Sequence, residues 1–219
     1  MFLKILPFLF LCLLLISCSL NKFKLKEGDI LFQDLDKENI DDAIKKVTET
    51  GLKFNFTHVA IVVKDNNKLK VLEAISSGVQ LSSISTFLDR NLENGKPKVV
   101  VGRLKKVFKP LIKPAIEYGK TLVGLPYDKI YIIGDDNYYC SELLYVMFHK
   151  INSTTNPFQL EPMTFKDPKT NETLKFWINY YTELNHSIPE GEPGLNPNGM
   201  SKSPNINLVY DYSIGKKMN

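Results

Sequence analysis

Three side chains in this sequence are of the types that cysteine-based acyl chemistry needs: the Cys140 thiol, the His58 imidazole and the Glu73 carboxylate. A thiolate attacks carbonyl carbon at neutral pH when a neighbouring imidazolium lowers its pKa, and that imidazolium then protonates the leaving amine. A carboxylate on the far side of the ring holds it in one tautomer and one orientation. Cys140 opens a run with Leu143, Leu144, Met147 and Phe148 on one stripe, so it belongs in the first turn of a helix, with Asn137 as the cap. The positive end of the backbone dipoles at that point favours the thiolate. Free cysteine is also among the most buried residue types, so its presence alone does not separate a nucleophile from core filler.

The elements that must bring His58 and Glu73 together are two β-rich runs, residues 54–63 and 69–75, divided by the polar Lys64-Asp65-Asn66-Asn67. This is the pattern of a hairpin. With Asp65-Asn66 as its two-residue turn, Lys64 pairs with Asn67 and His58 falls directly opposite Glu73, their Cβ atoms about 4.5–5.5 Å apart. A four-residue loop keeps this register, and a loop of odd length breaks it. Ala60, Val62, Leu69 and Val71 share the face, so a histidine and a carboxylate meet at the end of an apolar surface. Such a pairing orients the ring and favours its protonated form. His149 lies half a turn out of phase with Cys140, and His186 sits in a C-terminal stretch without periodicity. There is no HxxxH, CxxC or glycine-rich phosphate loop, so no metal and no cofactor is expected.

Around these elements, Gly28-Asp29-Ile30-Leu31-Phe32 reads as a turn entering a short strand, and residues 99–104 as another strand. Ile40, Ala43, Ile44 and Val47 recur at helical spacing, closed by Gly51; a second helix runs from Leu111 to Gly124, and a third, aromatic one covers residues 173–184. Residues 189–204, rich in Gly, Pro, Asn and Ser, read as a long loop, and residues 207–213 as a final strand. No repeat and no linker divides the chain, which at 219 residues fits one domain. A net charge of +4, spread as single or paired lysines with no aromatic interleaving, argues against a nucleic-acid partner.

The N-terminus is of another kind. A lysine at position 4 precedes the apolar residues 5–16, too short a run for a spanning helix and of the length of a signal-peptide core. Leu15-Ile16-Ser17-Cys18 resembles the lipobox of bacterial lipoproteins. That resemblance implies a signal at residues 1–17, lipid on Cys18, a tether over residues 18–25 and a folded domain over residues 26–219. It further implies an exported protein anchored to a membrane through Cys18, the outer membrane where the cell has one. Cys12 leaves with the signal and Cys18 is consumed by lipid, so Cys140 is the single thiol of the mature chain.

Four segments occur in an order that is similar to one enzyme family: Gly28-Asp29-Ile30-Leu31-Phe32, Phe56-Thr57-His58-Val59-Ala60-Ile61, Val71-Leu72-Glu73-Ala74 and Tyr139-Cys140-Ser141-Glu142-Leu143-Leu144-Tyr145. They look like the YiiX/YebB-like permuted papain-like amidases, relatives of the NlpC-type cell-wall peptidases, over residues 28–150. In the unpermuted relatives the cysteine helix precedes the histidine strand; here His58 comes first, as circular permutation implies. Leu125-Pro126-Tyr127 resembles the Pro-Tyr upstream of the nucleophile in those relatives, which implies that the Tyr127 hydroxyl helps to stabilise the oxyanion. The Trp-Gly-Gly that usually follows is missing, and a Tyr rather than an Asp precedes the cysteine.

The resemblance implies an α+β fold, circularly permuted and papain-like, with an antiparallel half-barrel packed on the cysteine helix. The reaction it implies is hydrolysis of an amide in the cell envelope, a peptidoglycan peptide, an isopeptide or a lipid-linked amide. Two other readings use the same residues: acyl transfer to an acceptor other than water, and an inactive descendant that binds an envelope ligand.

Overall fold

The computed structural model describes residues 23–36, 39–49 and 55–218. The expected signal, the expected lipidation site Cys18 and most of the expected tether lie outside these residues, as does Gly51. Among the described residues no helix is long and apolar enough to cross a membrane.

Seven strands form one antiparallel sheet: β1 (Asp29–Gln33), β2 (His58–Asp65), β3 (Lys68–Ile75), β4 (Gly78–Ser83), β5 (Val99–Leu104), β6 (Ile206–Asp211) and β7 (Lys216–Lys217). Their spatial order is β7-β6-β5-β1-β2-β3-β4. The strands flanking His58 and Glu73 and the helices α1 (Asn39–Thr48), α3 (Lys109–Thr121), α4 (Cys140–Ile151) and α5 (Lys175–Glu183) form where the apolar periodicity places them. The α+β class and an antiparallel sheet against the cysteine helix are therefore present.

The hairpin register differs from the expected one. Asp65 pairs with Lys68 and Ile61 with Leu72, so the turn is Asn66-Asn67. Both asparagines have positive φ, 46° and 61°. That is the geometry a two-residue primed turn demands, and asparagine tolerates it better than aspartate followed by asparagine at positions 65 and 66 would gain. The slip is two residues, which preserves the face. Glu73 lines up with Ala60 rather than with His58, and the two site residues meet on a diagonal.

Three further features depart from the sequence reading. β4 and the short helix α2 (Ile84–Leu88), capped by Ser83 Oγ accepting from Thr86 N–H at 2.9 Å, form in a stretch with weak periodicity. Gly78 opens β4 at φ +104°, and a Cβ there would meet the Leu125 carbonyl. Residues 189–204 are not all loop: they pair at 193–194 with Glu161–Pro162 and hold α6 (Pro197–Ser201), started by Asn196 and Pro197. β6 is followed by β7 and so does not end the sheet.

One face of the sheet carries Ile30, Phe32, Ile61 and Leu72 against Ile116 of α3 and Leu143, Leu144, Met147 and Phe148 of α4. Each fully buried aliphatic or phenyl side chain contributes about 1.5–3 kcal/mol. Gly119 lets α3 approach, because a Cβ there would run into Met147 and Leu72. The opposite face, Leu31, Ala60, Val62, Val71, Val99 and Val101, is covered by Phe87 of α2. A third, aromatic cluster of Ala43, Phe165, Trp177 and Tyr181 joins α1 to α5 beyond the sheet. Lys45 of α1 bridges Asp34 at 2.7 Å and Asp36 at 2.9 Å, which ties that helix to the end of β1.

Candidate active site

His58 is the first residue of β2, and its ring lies on the α2 side, 5.8 Å from the Phe87 ring centre. Its Nε2–H donates to Glu73 Oε2 at 2.7 Å. Glu73 is fully buried and receives more: Arg90 Nη1 donates to Oε2 at 2.8 Å, Arg90 Nη2 to Oε1 at 2.7 Å, and Ser82 Oγ–H to Oε1. Two-pronged guanidinium–carboxylate pairing fixes both oxygens, so the carboxylate cannot rotate away from the ring. With Nε2 engaged, Nδ1 is the nitrogen left for the nucleophile, and the Cys140 thiol lies near enough to the His58 ring for each to shift the other's pKa.

Cys140 is the first residue of α4, as its stripe indicates, but Asn137 is not the cap. Tyr139 occupies that position in extended conformation, φ −86° and ψ 168°. The Tyr139 backbone N–H is held by Glu142 Oε2 at 3.4 Å, so the acid three residues into the helix does what a polar cap residue would. The sulfur is buried, 6% exposed, yet lines a cavity of about 350 Å³.

Burial by itself would lower the His58 pKa, but hydrogen bonds to Cys140 and Glu73 outweigh it and bring the ring to about 9. Burial likewise would raise the thiol, while the imidazole beside it and the Val59 backbone hold Cys140 below its ordinary value. For Glu73, burial is overcome by Arg90 first and His58 next, so the carboxyl stays well below the usual range. The three shifts describe one charge arrangement: carboxylate, imidazolium, thiolate.

Tyr127 lines the same cavity as Cys140, and burial pushes its phenol well above the ordinary value, so the hydroxyl keeps its proton. Tyr131, which adopts φ +63°, lines the same cavity. The loop carrying both tyrosines is shaped by buried Asp128, accepting from Ile130 N–H at 2.6 Å and Ile132 N–H at 2.9 Å. His149 and His186 are exposed, the first stacked on Tyr145 and the second bonded to the Ser187 carbonyl. Neither joins the site.

Sequence reasoning missed Arg90, Ser82, Tyr131 and Asn198. Arg90 follows a helix that the periodicity does not reveal, so nothing marks it as the partner of Glu73. Asn198, in the glycine- and proline-rich stretch, is fully buried; its Oδ1 accepts from Phe56 N–H at 2.6 Å, and its Nδ2 donates to Asn55 Oδ1 at 2.7 Å and Thr48 Oγ1 at 2.9 Å. It thereby clamps the backbone two residues before His58.

Comparison with known proteins bears on the fold and the family. The chain is 24% identical to the uncharacterized protein YiiX of Escherichia coli (strain K12) over 199 residues, 90% of this chain and 91% of that one. A crystal structure described as that of the metalloprotein YiiX from Escherichia coli O157:H7 superposes with a TM-score of 0.70, covering 86% of this chain and 98% of that one at 22% identity. Among the described residues no three His, Cys, Asp or Glu side chains gather as metal ligands, so this donor set does not fit a metal and no step is routed through one. The model of the permuted papain-like amidase enzymes, the YaeF/YiiX or C92 family, matches residues 24–210, and the chain belongs to that family of cysteine hydrolases.

Proposed function

We propose that this enzyme hydrolyses an amide of the cell envelope through Cys140, His58 and Glu73. The observation that carries the reading is the buried His58 ring, held by the Glu73 carboxylate at 2.7 Å on Nε2 and near enough to the Cys140 thiol for the two groups to shift each other's pKa. In this scheme the Cys140 thiolate adds to the carbonyl carbon. The oxyanion is met by the Cys140 backbone N–H, which as the first N–H of α4 has no partner within the helix, and by the Tyr127 hydroxyl. His58 gives its proton to the nitrogen as the C–N bond breaks, leaving a thioester on Cys140. Water then attacks the thioester with neutral His58 as base, and the acid and thiolate are released. Glu73 orients the ring throughout, and Arg90 and Ser82 orient Glu73.

The lipobox resemblance supports an exported protein anchored through Cys18, which would place the site beside a membrane and its substrate in the envelope. Labelling of Cys18 with a radioactive fatty acid, lost in Cys18→Ala, tests that part.

A protein beginning at Ser19 carries Cys140 as its single thiol. Its iodoacetamide labelling is expected to proceed at pH 6–7, since the thiol sits below its ordinary value while the imidazolium persists to about 9. In His58→Ala the reactive form should appear only above about pH 8.5. Identical profiles for the two proteins would sink the proposed pair.

A further inference from the structure

We infer that the acyl half of the substrate is an uncharged apolar group, seated in the cavity that Cys140 lines; this rests on the cysteine-amidase reading above. The cavity, about 350 Å³, has the size of a small-ligand pocket. One part of its wall is the aromatic and aliphatic surface where α1 and α5 meet the 189–204 segment, with Ile44, Met163, Phe165, Trp177, Leu195 and Met200 on it. Among the described residues that line it only Glu161 is charged, with no lysine or arginine. A peptidoglycan stem peptide carries free carboxylates and amines, and burying these without counter-ions is costly. An aliphatic or phenyl group meets no such cost and recovers about 0.8 kcal/mol per methylene, roughly fourfold in affinity.

Geometry also says which half of the amide enters. Cys140, Ser141 and Tyr127 line the cavity, whereas His58 is not among its lining residues and sits against Glu73 and Phe87 on the α2 side of the sheet. The leaving nitrogen must depart toward the ring that protonates it. What remains on the sulfur as the thioester therefore points away from His58, into the cavity. The sequence-stretch expected to be a loop, residues 189–204, supplies that wall through Leu195, Pro197 and Met200.

The chain has a single tryptophan, Trp177, and it lines the cavity, so its fluorescence reports occupancy. Titrating the Cys140→Ser protein with acetamide, hexanamide and decanamide should show affinity rising by about fourfold per methylene until the cavity is full. N-octylacetamide, with the same ten carbons but its chain on nitrogen, should bind far more weakly than decanamide. N-acetylphenylalaninamide forms a second arm, and its rank against decanamide tells a fatty acyl from an aminoacyl source. Gly194→Ala adds a methyl that drives Met163 from its place on the wall and should end the rise at a shorter chain. A flat chain-length series, equal binding of N-octylacetamide, or tighter binding of the tripeptide L-Ala-γ-D-Glu-L-Lys would overturn the inference. Labelling of wild-type Cys140 is measured alongside: a sluggish thiol with a normal chain-length series removes the nucleophile and leaves the cavity assignment standing.

Discussion

Glu73 and Glu142 are both fully buried carboxyls beside the candidate site, yet the structure gives them different charge states. Glu73, on β3, faces a guanidinium, an imidazole and a hydroxyl, and stays ionised. Glu142, in the first turn of α4, faces the Tyr139 N–H and has no cation; burial first, and then the charges of Asp128 and Asp135, push it up to about 8. One of its oxygens, Oε1, finds no partner among the described residues. The contrast teaches where negative charge is useful. Beside His58 it holds an imidazolium; two residues from the Cys140 sulfur it would oppose the thiolate, and there the carboxyl is neutral at physiological pH.

The largest break of this contrast is Glu73→Ala. It strands Arg90, whose side chain is only 17% exposed, without its anion. Removing one partner of a buried pair leaves an uncompensated charge, and a loss of about 3 kcal/mol is expected in urea unfolding at pH 7. A loss under about 1 kcal/mol would show that the pair is hydrated and contributes little.

Arg90→Gln tests the same chain of charges more gently. Without the guanidinium, burial pulls the Glu73 pKa upward, the imidazolium loses support, and the thiolate population falls. Cys140 labelling at pH 6 should slow by about tenfold, the equivalent of one pKa unit. Unchanged labelling would mean that Arg90 braces the fold without reaching the nucleophile.

Glu142→Gln changes the fewest atoms and is the sharpest in sign. The folded-state value of about 8 lies above the ordinary 4.5 of a glutamate, so the folded protein keeps a proton that the unfolded chain sheds between those values. Wild-type stability contributed by this group is present below pH 4.5 and is lost as pH rises toward 8. Glutamine does not titrate. The variant should lie within about 1 kcal/mol of wild type at pH 5 and gain on it steadily up to pH 8, read from urea midpoints. A gap that narrows over that interval would mean Glu142 is ionised in the folded enzyme.

How the site was legible follows from range. The Cys140 helix and the two strands of the hairpin are written in local periodicity, and their residue types suffice to name a thiol, an imidazole and a carboxylate. Even the register error was harmless, because a slip of two residues leaves His58 and Glu73 on one face. Arg90 was not legible: it acts across 17 positions through a helix of five residues, too short for a periodic signal. Asn198 reaches Phe56 across 142 positions, and no local pattern distinguishes a buried clamp from a loop asparagine.

The sequence by itself determined the chemical identity of the site, its order along the chain and the strands and helix that carry it, since these depend on neighbours within a few turns. Only the tertiary structure decided the charge state of each buried acid, the partner that locks Glu73 and the apolar wall beside the sulfur. Those depend on which distant segments come to share a low-dielectric space, and a linear pattern does not encode that distance.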